Sequence, residues 1–262
     1  MNTALRFKLE SLTTDPWGES RLAQFKYRNS QINKIFPDLI APSLLPYGLD
    51  LASGTGVLAN MLSIFYSKLI CVEADQRSVE LLISKYQKLE CIRSKLPVIP
   101  KKILNCQMDI VTCFGAIYYL TNQEIESLCK ILLSGVIKPS SKFIVNNLSY
   151  ERIKIIELSG FKLNIIKSFN RPKHSLSKIS WLVRQFELIK AINRNQDNEN
   201  VEVYLKTTKR LFVKKIIHHP TIISVFDLLI FPFRVLVEST IVYKALFCFG
   251  STRCDVFVFS PI

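Results

Sequence analysis

Histidine is scarce in this sequence: His174, His218 and His219 are the only three, and none stands at ligand spacing from a partner. The seven cysteines, Cys71, Cys91, Cys106, Cys113, Cys129, Cys248 and Cys254, form no C-x-x-C pair. With neither donor set in place, no metal site is expected. The odd cysteine count, and the apolar runs in which several of them fall, argue against a disulfide framework. They fit reduced, buried thiols in a cytoplasmic protein. The first seven residues hold no continuous apolar stretch, so no secretory leader is expected there. No charge-free run reaches the ~18 residues needed to span a bilayer.

Positive charge, by contrast, is in excess. Lys and Arg number 35 against 21 Asp and Glu, a formal net charge of +14. That sign favours anionic partners, whether nucleic acid, anionic lipid or acidic glycan, without choosing among them. The 262 residues are 48% hydrophobic and 21% charged. This is enough for one large α/β domain, or one domain with a sizeable insertion, and does not fit a disordered chain.

Residues 1–46 read as a helical lead-in, with a turn at Asp15-Pro16-Trp17-Gly18 and spaced apolar residues from Tyr27 to Ile40. From Tyr47 strands and helices alternate. A strand ends at Gly48–Leu51 and a helix runs Val57–Tyr66; a second strand covers Lys68–Val72 and a second helix Arg77–Leu89. Residues 90–107 offer one short strand. Met108–Phe114 reads as a buried strand, Asn122–Leu133 as a helix opened by Thr121, Lys142–Asn146 as a strand and Tyr150–Leu158 as a helix closed by Gly160. Strand-like runs recur at Phe161–Phe169 and Asp255–Phe259. This alternation implies βαβ units and a parallel sheet covered on both faces.

The most informative segment is Leu49-Asp50-Leu51-Ala52-Ser53-Gly54-Thr55-Gly56-Val57-Leu58-Ala59, which follows a strand and opens a helix. Gly54 and Gly56 permit a tight turn and close approach of a ligand to the backbone. Glu73 follows at the end of the next apolar strand, a spacing at which an acid can accept both hydroxyls of an adenosine ribose. Asp75 is the alternative acid, further past the strand end.

These residues resemble motif I and the second motif of the class I, Rossmann-like, S-adenosylmethionine-dependent methyltransferases. Leu49–Gly56 is similar to L-D-L-G-C-G-T-G, and Ile70-Cys-Val-Glu73-Ala74-Asp75 to the ribose-binding strand end. Met108–Leu120 resembles the fourth-strand motif, f-D-v-v-x-x-x-x-v-l-x-h-l, whose end lines the transfer site in that family. The resemblance implies a mostly parallel seven-stranded sheet with helices on both faces and a helical insertion before the last strand. It assigns cofactor binding to Asp50, Ala52, Gly54, Gly56, Glu73, Ala74, Phe114 and Gly115, and acceptor contact and catalysis to Tyr118 and Tyr119. Neighbouring side chains in a strand or turn ordinarily point apart, so one of the two tyrosines is expected in the core. Asp15-Pro-Trp17 with Tyr118-Tyr119-Leu120 further resembles the nodulation-type N-methyltransferases.

Gly54-x-Gly56-x-x-Ala59 also satisfies the dinucleotide fingerprint G-x-G-x-x-G/A. A pyrophosphate would however stand beside the Asp50 carboxylate, whereas the ammonium and sulfonium of adenosylmethionine are favoured there. Three positions depart from the resemblance. Ala52 replaces the first glycine; Ser94 stands where an acid usually meets the adenine amine; and Lys138-Pro139-Ser140-Ser141 replaces a Gly-Gly before the fifth strand. No Asn/Asp-Pro-Pro-Tyr follows the fourth strand and no Pro-Cys occurs, which argues against adenine-N6 and cytosine-C5 methylation.

The expected domain organisation is a lead-in at 1–46, a core at 47–170 and 251–262, and an insertion or cap at 171–250. The insertion holds the basic run Lys206-Thr-Thr-Lys209-Arg210-Leu-Phe-Val-Lys214-Lys215, then an apolar stretch in which Asp227, Arg234 and Glu238 share one helical face and Pro232 kinks or breaks the helix. Basic followed by amphipathic fits both an interfacial membrane segment and a cap helix over a substrate pocket. The expected activity is methyl transfer to an O or N of a small or lipid-linked acceptor, sugar-containing acceptors included. The expected setting is the cytoplasm or the periphery of an anionic membrane. RNA methylation, supported by the charge alone, and a non-catalytic scaffold with this fold are the alternatives.

Overall fold

The structure is a computed structural model and describes residues 22–40, 46–172, 177–194, 228–235, 238–239 and 251–262. The turn at 15–17, the three histidines and the basic run at 206–215 lie outside the described residues.

The elements in chain order are α1 (Ala23–Leu39), β1 (Tyr47–Leu51), α2 (Val57–Leu62), β2 (Lys68–Glu73), α3 (Gln76–Lys85), β3 (Glu90–Arg93), β4 (Met108–Cys113), α4 (Asn122–Ile131), β5 (Ile137–Asn146), α5 (Tyr150–Leu158), β6 (Phe161–Pro172), α6 (Ser177–Arg194) and β7 (Ser251–Pro261). The sheet has seven strands in the order β3-β2-β1-β4-β5-β7-β6. β1 pairs in parallel with both β2 and β4, β2 with β3 and β4 with β5, while β7 runs antiparallel to β5. The central strands are apolar because both faces are covered: Leu49, Leu51, Ile70, Val72, Val111, Phe143 and Val145 enter one buried cluster with Phe257 and Phe259 of β7, and the alternate residues Cys71, Ile110, Ile144, Val256 and Val258 are buried on the other face.

Local chemistry sets the element ends. Thr121 caps α4 and exchanges hydrogen bonds with Glu124 in a reciprocal capping box, which satisfies two otherwise orphaned N–H groups. Ser149 caps α5, and Gly160, at φ +101°, turns the chain out of it. β5 starts at Ile137, five residues before the expected Lys142, and Ser141 explains the difference. Its buried hydroxyl accepts the Lys138 N–H at 2.7 Å and donates to the Met108 carbonyl at 2.6 Å, so a serine sits inside the strand with its polar group satisfied. The Lys138 ammonium also pairs with Asp109 at 2.7 Å. The Lys-Pro-Ser-Ser sequence thus makes the strand start that the resemblance assigns to Gly-Gly.

The chain forms two compact units. One comprises residues 29–171 with 252–262 and contains the sheet; the other comprises residues 1–28 with 172–251. The boundary divides the expected lead-in at Arg28, within α1. In the second unit Leu22, Val183, Phe186 and Ile230 form a small apolar cluster.

Candidate cofactor and acceptor site

Chain order reverses at β1: β2 and β3 lie on one side of it, β4 and β5 on the other. In open parallel sheets the crevice at such a switch point, outside the carboxyl ends of the strands, is where ligands bind. Asp50 near the end of β1, the turn at 52–56, Glu73 at the end of β2, and Phe114 and Gly115 just past β4 all lie at these carboxyl ends. The strand register accounts for this convergence: Asp50 is level with Cys71 on β2 and with Thr112 on β4.

Two carboxylates are buried here, Asp50 at 5% and Glu73 at 7% exposure. Thr112 donates its hydroxyl to Asp50 Oδ1 at 2.6 Å. Glu73 is held by three backbone donors: Gly54 N–H on Oε2 at 2.8 Å, and the Ala74 and Asp75 N–H groups on Oε1, each at 2.9 Å. Burial nevertheless outweighs these bonds and pushes the Glu73 carboxyl above the ordinary glutamate range. The Asp75 carboxylate instead accepts the Ser78 N–H at 2.7 Å as the N-cap of α3, so it acts as a helix cap.

The glycine turn is wound by left-handed residues. Ala52, Gly54 and Gly56 have φ of +55°, +59° and +78°, so the alanine at the first glycine position takes the glycine-like conformation. The turn directs its donors inward. Ser53 N–H meets the Val72 carbonyl at 3.1 Å, Gly54 N–H meets Glu73, and Gly56 N–H meets the Ser53 carbonyl at 3.0 Å. An anion-binding loop needs those N–H groups pointing at its ligand.

Beyond β4, Phe114 is buried and Gly115, at φ +75°, donates its N–H to the Asn146 side-chain oxygen at 2.8 Å. A 3-10 turn, Ile117–Tyr119, follows. Arg152 of α5 bridges the two ends of the turn, donating Nη1 to the Ile117 carbonyl at 2.8 Å and Nη2 to the Leu120 carbonyl at 3.0 Å. Both tyrosines are exposed, Tyr118 at 44% and Tyr119 at 56%; their ring centroids are 4.3 Å apart and the Tyr118 hydroxyl donates to that of Tyr119 at 3.3 Å. The expectation that one of them packs in the core is corrected by the turn itself. Residues three apart eclipse in a 3-10 turn, so Ile117 and Leu120 take the buried side and both tyrosines face outward.

Ser94 gives its hydroxyl proton to the Val98 carbonyl at 2.8 Å, so only its oxygen remains to meet an amine. Asp109, the acid of the fourth-strand motif, lies at the opposite end of β4 from the site. It accepts the Tyr47 N–H at 2.9 Å and pairs with Lys138, which ties together the starts of β1, β4 and β5. Thr112, Asn146 and Arg152 were not singled out from the sequence. A lone polar residue in each apolar strand, Thr112 in Ile-Val-Thr-Cys and Asn146 in Phe-Ile-Val-Asn, was the available signal. Arg152 carried none, since its partners are backbone carbonyls. Among the described residues no cluster of His, Cys, Asp or Glu is arranged to hold a metal ion.

No protein-family model and no curated protein matches this sequence. Solved structures do match in fold. The N-methyltransferase NodS of Bradyrhizobium japonicum WM9, solved with S-adenosyl-L-homocysteine, aligns at a TM-score of 0.53 and 12% identity, over 64% of this chain and 90% of its own. A candidate methyltransferase from Bacillus halodurans C-125 aligns at 0.50 and 15% identity, over 88% and 97%. The [4+2]-cyclase SpnF aligns at 0.50 and 9% identity, over 88% and 80%. The chain therefore has the Rossmann-like fold of the class I methyltransferases, with the seven-stranded, mostly parallel sheet and flanking helices that the resemblance implied.

Proposed function

We propose that this protein binds S-adenosylmethionine at the β1–β2–β4 strand ends and transfers its methyl group to an O or N atom of a small or lipid-linked acceptor. The observation that carries this reading is the polarity of the glycine turn. Its Ser53, Gly54 and Gly56 N–H groups are spent inside the protein, and two buried carboxylates flank it. A doubly negative pyrophosphate would meet acids where it needs donors, whereas a ligand carrying an ammonium and a sulfonium is complemented.

The residues present fit such a cofactor. A carboxylate has roughly four acceptor positions; Glu73 uses three on backbone N–H groups and keeps one for a ribose hydroxyl. Asp50 places negative charge near the turn, and Ala52, Gly54, Gly56 and Ala74 let a ligand approach the backbone closely. When bound, the cofactor supplies an electrophilic methyl group on a sulfonium with a neutral leaving group. The chain's task is then to hold the acceptor in line and near contact. Phe114 and Gly115 wall the reacting centre, and Tyr118 and Tyr119 orient the acceptor's hydroxyl or amine. An acceptor that is already a good nucleophile needs no dedicated base.

A non-catalytic binding or scaffold protein with this fold is the second reading, and Ser94 favours it: with its proton given to Val98, it is a weaker partner for an adenine amine than a carboxylate, which weakens the hold on the cofactor. Calorimetric titration with adenosylmethionine and adenosylhomocysteine, on wild type and Glu73→Ala, tests both. Micromolar binding lost in the variant supports the cofactor site, and methyl consumption in acceptor screens then separates transfer from binding. No binding by wild type overturns the proposal.

A further inference from the structure

The helix at 228–235 has its polarity inverted. A helix on the surface of a water-soluble domain buries its apolar stripe and shows charge to solvent. Here Leu228, Leu229, Phe231, Phe233 and Val235 are all exposed, between 44% and 76%, and Pro232 is exposed with them. The one charged side chain, Arg234, lies on the other side and pairs with Glu187 of α6, both largely shielded. Ile230 anchors that same side against Leu22, Val183 and Phe186. At about 100° per residue, Ile230 and Arg234 share one face and the six exposed apolar residues cover the remainder. The helix continues through Pro232, so the proline does not break it, although it removes one backbone hydrogen bond.

An exposed apolar face with two phenylalanines and two leucines calls for a low-dielectric partner, and the charge of the chain selects which. The molecule carries +14, and the run Lys206, Lys209, Arg210, Lys214 and Lys215 precedes this helix in sequence. An anionic bilayer surface complements both the apolar face and the net charge: apolar side chains enter the acyl boundary while the positive charge of the chain draws it to anionic headgroups. No helix among the described residues is long and apolar enough to cross a membrane, and the contact inferred is an interfacial one. We infer that the 228–235 helix is a membrane-docking element whose partner is an anionic lipid surface. This deepens the lipid-linked arm of the proposed function by naming the surface on which the acceptor would be met.

The test is flotation of the full chain with phosphatidylcholine vesicles, with and without phosphatidylglycerol, at low and high salt. Wild type is expected to float with the anionic vesicles, more weakly at high salt. Phe231→Ser with Phe233→Ser is expected to weaken partitioning on the order of tenfold or more, and Leu229→Ser, a separate variant on the same face, to weaken it less. Folding of each is checked by circular dichroism. Three results overturn the inference: no flotation by wild type, flotation indifferent to both variants, or concentration-dependent self-association abolished by them, which would assign the face to a second copy. Adenosylmethionine calorimetry on the same samples reads the cofactor site separately, so failure of one does not imply failure of the other.

Discussion

The Thr112 hydroxyl donates to Asp50 Oδ1 across 2.6 Å, joining β4 to β1 where strand order reverses. This bond stabilises a carboxylate that is almost out of water. Thr112→Val keeps the shape and removes the donor, so it is expected to destabilise the protein by about 1.5–3 kcal/mol, the range for hydrogen bonds to charged groups. Urea denaturation at neutral pH measures it; a change below about 0.5 kcal/mol would show that the bond contributes little.

Glu73 gives a pH signature. Burial holds its folded-state carboxyl above the ordinary value of 4.5, so between those two values the folded chain holds the proton and the unfolded chain releases it. Stability from this group is fully present below pH 4.5 and is lost as pH rises through the raised value. Glu73→Gln should flatten that limb of a stability-versus-pH curve. A wild-type curve that rises through the window, and ceases to rise in the variant, would contradict the sign.

Gly56 is fixed by conformation and by space together. A Cβ there would stand 2.6 Å from Leu82 Cγ, on a backbone at φ +78°. Gly56→Ala is expected to cost about 1–3 kcal/mol from overpacking, and the left-handed backbone adds roughly 1–2 kcal/mol. In a double-mutant cycle with Leu82→Ala the steric part should be relieved and the backbone part should remain. Additive effects would rule out the contact.

Arg152 is expected to position the tyrosine turn without touching the cofactor loop. Arg152→Ala should speed hydrogen exchange at residues 117–121 while leaving exchange at 50–56, and adenosylmethionine affinity, unchanged within about twofold. Equal acceleration in both segments would point to a general loss of stability.

The sequence by itself determined the strand and helix order and the place of the glycine turn. These depend on local properties: apolar runs bounded by turns, a Thr-x-x-Glu cap at Thr121, and glycines at 54, 56 and 160 where the backbone is left-handed. It also determined that Asp50 lies near the end of one strand and Glu73 just past the apolar run of the next. The tertiary structure alone decided what those acids touch. Glu73 meets Gly54 from nineteen positions away and Thr112 meets Asp50 from sixty-two, because parallel pairing brings into register strands that the chain connects only through helices. It alone decided that Tyr118 and Tyr119 face outward together, since a turn with 3-10 rather than strand geometry follows β4. And it alone exposed the inverted polarity of the 228–235 helix. Periodicity locates a charged and an apolar side, but which side turns to solvent depends on what Ile230 and Arg234 find to pack against.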